Sequence, residues 1–165
     1  MEEIYDKVLD RLRVLCSRKE YCSGDMLKKA AEYLSRYGCP PESVPEMAAS
    51  LLDSLRKDRY VDDLRYAAAF ARDKAALTGW GTVKIRYALA SKGIGPDVIP
   101  EALRSIDRDQ AGSRLYRLLE VKRKALKDDP QSRLKMLKFA LGRGYGYEEA
   151  ESAIKRLIES ARSSE

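Results

Sequence analysis

The sequence predicts an all-α protein, and three observations carry that prediction. Apolar residues recur at helical spacing almost from end to end, β-branched residues are sparse and scattered, and no alternating run of strand length occurs. The chain is also rich in Ala, Leu, Lys, Arg and Glu, which lose little conformational freedom in a helix. Gly and Pro then break the pattern into nine helices.

The first helix is expected near residues 3–18, where Val8, Leu12 and Leu15 share a face with Leu9 beside them. Ser23 is placed to cap the second, near 24–37, which Gly38 ends before Cys39-Pro40-Pro41 leads into a third near 43–57. Asp62 or Asp63 caps the fourth, near 63–77. The segment Gly79-Trp80-Gly81 separates it from a fifth near 82–92; Trp80 there closes the turn with its apolar ring. Gly93-Ile94-Gly95-Pro96 opens a sixth helix near 97–106, with Pro96 suited to a first turn. A seventh near 110–127 is followed by Asp129-Pro130, read as N-cap and first helical residue of an eighth near 131–143. Gly144-Tyr145-Gly146 precedes the ninth, near 148–161, whose apolar face is Ala150, Ala153, Ile154, Leu157 and Ile158.

The three Gly turns expose an internal repeat. With Gly38, Gly93 and Gly144 as origins, six columns are apolar in all three copies. Eight before stand Ala30, Ile85 and Met136; four before, Leu34, Leu89 and Ala140. Six after stand Val44, Ile99 and Ala150, and nine after, Met47, Ala102 and Ala153. The remaining columns are Ala48, Leu103 and Ile154, then Leu51, Ile106 and Leu157. The origins lie 55 and 51 residues apart, so the unit holds three helices. The expected architecture is three tandem three-helix repeats, residues 1–57, 58–107 and 108–165. A unit this small has little core of its own, so burial continues across the junctions, giving an elongated, slightly curved array.

Composition closes off most chemistry. Among 165 residues there is no His, so neither a Ser-His-Asp nor a Cys-His pair can form, nor a His-containing metal site. Cys16, Cys22 and Cys39 form no CxxC pair and suit a reducing compartment as small apolar side chains. Asp62-Asp63 has no second carboxylate cluster at ligand spacing, and Gly79-Trp80-Gly81 lacks a phosphate loop's Lys-Ser/Thr ending. No catalytic residue, metal or cofactor is expected. The longest uncharged stretch, residues 75–83, is too short to cross a bilayer, and the Met1-Glu2-Glu3 start does not resemble a secretory signal. A cytoplasmic monomer with no membrane partner is the expectation.

Net charge is +6 and rises along the chain, from −1 over residues 1–56 to +2 over 57–107 and +5 over 108–165. Lys122, Arg123, Lys124, Lys138 and Arg143 carry much of the excess, and Lys135 and Lys138 are placed opposite Leu134, Leu137 and Leu141. These cations could displace counterions from phosphates or meet acidic protein side chains, or simply form a solvated face balanced by Glu120, Asp128 and Asp129. Arg65 and Arg72 share a stripe with Ala69 and Ala76, open to a close partner or paired with Asp62 and Asp73. Tyr87 and Tyr116, near cations, are suited to base stacking or to ordinary amphipathic packing.

Residues 59–106 add a specific pattern. Arg59-Tyr60-Val61-Asp62-Asp63-Leu64-Arg65-Tyr66-Ala67 is followed by Phe70, Gly81-Thr82-Val83-Lys84-Ile85, Leu89 and Lys92-Gly93-Ile94. This order resembles the central motif of the RecX family, regulators of the RecA recombinase. Arg143-Gly144-Tyr145 is similar to the family's closing turn. In the first repeat, Ser23-Gly24-Asp25-Met26-Leu27 departs from the family pattern by placing its acid one position early.

The resemblance implies a non-enzymatic modulator that binds RecA and its nucleoprotein filament on DNA, limiting filament growth or promoting its loss. Recombinase, ATPase and co-protease activities would fall, in DNA repair, recombination and the SOS response. Candidate partner or DNA-binding residues are Arg65, Arg72, Lys84, Arg86 and Lys92 in the middle repeat, with Lys122, Arg123, Lys124, Lys138 and Arg143 beyond it. Lys84 and Arg86 lie on nearly opposite sides of one helix, so at least one is a spectator. The alternative is a helical-repeat protein that binds single-stranded DNA independently of RecA; weak direct DNA contact fits either reading.

Overall fold

A computed structural model describes residues 1–164. Among them are nine α-helices and no strand: α1 (Glu2–Arg18), α2 (Ser23–Arg36), α3 (Val44–Lys57), α4 (Asp63–Asp73), α5 (Thr82–Ser91), α6 (Val98–Leu103), α7 (Arg108–Ala125), α8 (Ser132–Gly142) and α9 (Tyr147–Ser163). Two compact units form, residues 1–67 with 90–99 and residues 68–89 with the chain from 100 onward.

In the first unit α2 packs on α1 and α3. Its core joins Val8 and Leu12 of α1, Met26, Ala30 and Leu34 of α2, and Leu51 and Leu55 of α3. In the second unit α7 and α8 pack on α9 around Leu115, Leu119, Met136, Ala140, Ile154 and Leu157. Of the eighteen residues in the repeat columns, only Val44 and Met47 are not buried. The columns therefore mark the inward face in all three copies.

Gly38, Gly93 and Gly144 share one backbone state, with φ of 86°, 82° and 92°. A side chain is strained there, which is why Gly recurs at this register. The turn after α2 and the turn after α8 close alike: Cys39 N–H donates to Leu34 O at 2.9 Å and Tyr145 N–H to Ala140 O at 3.2 Å. That bond back to the last helical turn is the Schellman arrangement. Arg59 ends α3 in the same left-handed region at φ 61°, without being Gly. Tyr60 N–H then donates to Leu55 O at 2.8 Å.

Several local expectations are corrected. Ser23 does not cap α2: it lies inside the helix, and its hydroxyl accepts from the Arg56 guanidinium at 2.9 and 3.1 Å. The carboxylate serving that end is Asp63, whose Oδ1 accepts the Ser23 N–H at 2.7 Å from 40 residues away. Asp62 caps α4, accepting the Arg65 N–H at 3.0 Å. The α-helix stops at Asp73 and widens into a π turn over Lys74–Thr78, closed by Gly79 at φ 69°. Pro96 precedes α6 rather than sitting in its first turn. The eighth helix begins at Ser132, after Asp129 Oδ1 accepts the Gln131 N–H at 2.8 Å. Nor are Leu134 and Leu141 inward: the buried stripe of α8 is Met136 and Ala140, and Lys138 lies between those two leucines instead of opposite them.

Candidate interaction surface on the second and third helix triplets

The motif residues of the middle segment divide into joints and free cations. In the first unit Arg65 Nε donates to Glu20 at 2.7 Å, while its Nη2 reaches the carbonyls of Arg59 and Tyr60 at 3.1 and 3.3 Å. Lys92 Nζ lies 3.0 Å from the Asp25 carboxylate. The hydrogen bond and charge of Lys92 hold Asp25 below the ordinary carboxylate range, and Asp25 holds Lys92 above the ordinary amine range. Burial pushes up the Tyr66 phenol and the Cys16 and Cys22 thiols, so these groups stay neutral at physiological pH.

A second joint lies in the other unit. Gly81 N–H donates to Arg143 O at 2.8 Å and Val83 N–H to Gly144 O at 2.9 Å. A Cβ on Gly81 would collide with the Gly144 backbone, and one on Gly144 would collide with Lys84. Beside it, the buried Tyr145 hydroxyl donates to Gly79 O at 3.1 Å, and Arg143 donates to Thr78 O at 2.7 Å. Those carbonyls sit at the C-terminal end of the helix, where no intrahelical donor reaches them. The ammonium groups of Lys74 and Lys84 each lie 4.6 Å from the Trp80 ring centre, and Phe70 meets that ring edge-on.

The ten sequence-predicted cations therefore fall into different settings. Arg65 and Lys92 are committed to acids, Arg143 to a peptide carbonyl, and Lys84 to an indole face. Lys122 and Arg143 both approach the Phe139 ring, at 5.3 and 5.9 Å. Arg123 and Lys124 border a shallow hollow of about 220 Å³ with Tyr116 and Leu157. Arg72, Arg86 and Lys138 are exposed and have no ion pair among the described residues.

Arg72 borders a groove of about 500 Å³ between the end of α4 and the first half of α7. Ala75, Ala76 and Ala111 give it a shallow apolar lining, Arg117 also lines it, and Arg114 donates to the Ala76 and Leu77 carbonyls at 3.4 and 3.5 Å. A neighbouring hollow of about 550 Å³ shares Arg117 and adds Arg108 and Arg156, the latter stacked on Tyr116 at 5.4 Å. Sequence reading missed Arg108, Arg114, Arg117 and Arg156. For the three on α7, the available signal was the Ala111-Gly112-Ser113 run on a helix whose arginines fall at spacings of six, three and six. Guanidinium groups over small side chains can clamp carboxylates or phosphates at close range. Asp107 and Asp109 on the same rim oppose a uniformly charged polyanion and favour a partner of mixed charge. No group of acids and thiols among the described residues could hold a metal ion, and no helix is long and apolar enough to cross a membrane.

Comparison with known proteins identifies the family. Residues 62–103 match the profile of "RecX, second three-helix domain". A "Regulatory protein RecX" from Chromohalobacter salexigens is 30% identical over 157 residues, covering 93% of each chain. The chain belongs to the RecX family. A second RecX regulatory protein, from Clostridium botulinum (strain Eklund 17B / Type B), is 33% identical over 135 residues, 79% of this chain and 61% of the relative. The chain spans about half to three fifths of the length of several such relatives. A crystal structure of RecX from Lactobacillus salivarius superposes with a TM-score of 0.80 at 16% identity, covering 96% of this chain and 99% of that one. At that identity the likeness speaks for the all-helical RecX fold. The matched RecX segment contains both joints' middle-repeat members, from Asp63 and Arg65 through Gly81 to Lys92.

Proposed function

We propose that this RecX-family chain is a non-enzymatic regulator that binds the RecA recombinase and its nucleoprotein filament and lowers recombinase, ATPase and co-protease activity. Family membership, anchored on the match over residues 62–103, carries the reading. The arginine groove beside α7 supports it, because paired guanidiniums over an alanine lining suit a protein surface bearing carboxylates. Electrostatic attraction from the basic third triplet would speed encounter, and the groove contacts would set residence time.

The deciding experiment adds the purified chain, below stoichiometry, to the RecA of the same organism on single-stranded DNA and follows ATP hydrolysis. Inhibition that weakens when Arg72 and Arg117 are both changed to Glu supports the reading. The competing DNA-binding function predicts tight binding to bare single strands that falls steeply with salt, with ATP hydrolysis unchanged.

A further inference from the structure

Of the nine α-helices, only α5 and α8 contain no carboxylate. These same two helices carry apolar side chains on their outward faces. Val83 and Tyr87, one turn apart on α5, are 52% and 76% exposed. Leu134 and Leu141, two turns apart on α8, are 47% and 41% exposed, and Lys138 lies between them. Arg86 is exposed beside Tyr87. Both helices already bury a separate stripe, Ile85 with Leu89 and Met136 with Ala140. The outward residues are therefore surplus to the core.

The internal repeat supplies an independent control. Ten, six and three residues before the turn glycine stand Val83, Tyr87 and Ala90 in one copy and Leu134, Lys138 and Leu141 in the next. The first copy has Lys28, Glu32 and Ser35 at those positions, all exposed. The fold thus accepts charged and polar side chains at this register, whereas the later copies place aliphatic side chains at its first and third positions, Val83 with Ala90 and Leu134 with Leu141. Val83 N–H is bonded to Gly144 O, so the start of α5 adjoins the turn that ends α8 and the two stripes occupy neighbouring elements of one unit.

We infer that the outward faces of α8 and α5, through Leu134, Leu141 and Val83 with Lys138 and Arg86, dock an acidic amphipathic segment of a partner protein. The partner's apolar side chains would be spaced one and two helical turns apart, with carboxylates beside them. A second copy of this chain is disfavoured, because Lys138 and Arg86 of the two copies would be brought together, while the nearby Glu151 and Asp129 are already paired with Arg133 and Lys135. Nucleic acid is disfavoured, because the aliphatic side chains would meet phosphate and sugar without a stacking or hydrogen-bonding role. The inference rests on the RecA reading above and adds, by its chemistry, a RecA-facing surface separate from the arginine groove.

The test uses the full chain with Leu134→Ser and Leu141→Ser together, and separately Lys138→Glu, with melting temperature as the folding check. Affinity for the cognate RecA and half-inhibition of its ATP hydrolysis are measured at two salt concentrations. The double serine variant should weaken both on the order of tenfold at either salt. Lys138→Glu should weaken both and flatten the salt dependence. Wild-type inhibition by the folded serine variant overturns this inference while leaving the regulator reading standing. A wild-type chain with no effect on RecA overturns both. Dimerisation that the serine changes abolish, or binding to phosphatidylcholine–phosphatidylserine vesicles that they abolish, reassigns the face and also overturns it.

Discussion

The N–H of Gly81 donates to the carbonyl of Arg143 across 62 residues of sequence, at 2.8 Å. Together with Val83 N–H on Gly144 O, it satisfies donors at the start of α5 with peptide carbonyls from a turn, where a side-chain cap would ordinarily serve. Such contact needs two backbones without a Cβ between them. Gly81→Ala should therefore cost about 2–4 kcal/mol, because the methyl group meets peptide atoms that cannot swing aside. Urea unfolding of the variant measures this; a loss below about 0.5 kcal/mol would show that the turn relaxes freely.

Gly112 gives the opposite expectation. It lies within α7, and a Cβ there meets nothing within 4 Å. Gly112→Ala should stabilise the protein by about 0.5–1 kcal/mol through helix propensity and a more restricted unfolded chain. Thermal melting should show a rise of a few degrees, with ATP-hydrolysis inhibition unchanged if the neighbouring hollow is not used.

The Asp25–Lys92 pair sets a pH window. Asp25 titrates below its ordinary 3.8 in the folded chain, so its stabilisation is complete above that value and disappears as pH falls through the lowered one. Lys92 titrates above its ordinary 10.5, so its share is complete below that value and is lost as pH rises through the raised one. Both side chains are more than a third exposed, and solvent screening limits the pair to about 1 kcal/mol or less. Urea melts of wild type and Asp25→Asn should differ at neutral pH and converge as pH falls through the lowered titration of Asp25.

Helix number, the turn glycines and the inward columns were legible in the sequence because each is written in local periodicity. Partner choice at helix ends was not. Ser23 looked like a cap, yet Asp63 serves that end and Arg56 takes the Ser23 hydroxyl, a choice made by residues 40 and 33 positions away. The leucines of α8 misled for a different reason: periodicity identifies an apolar stripe but cannot say which of two stripes faces inward. Charge counted by segment likewise could not separate two arginines of the middle segment, Arg65, spent on Glu20, and Arg72, which borders a groove.

That last distinction yields a prediction with two arms. Arg65 ties Glu20 to the carbonyls of the left-handed Arg59 and of Tyr60, so Arg65→Glu turns a donor into a carboxylate among acceptors. A loss of about 1–2 kcal/mol in stability is expected, and any fall in RecA inhibition should track that loss. Arg72→Glu removes no intramolecular ion pair seen among the described residues, so its melting temperature should stay close to wild type. Its inhibition of RecA should nevertheless weaken, by an amount that shrinks as salt is raised. If Arg72→Glu destabilises as strongly as Arg65→Glu, the arginine is a strut of α4 and the groove loses its claim to a partner.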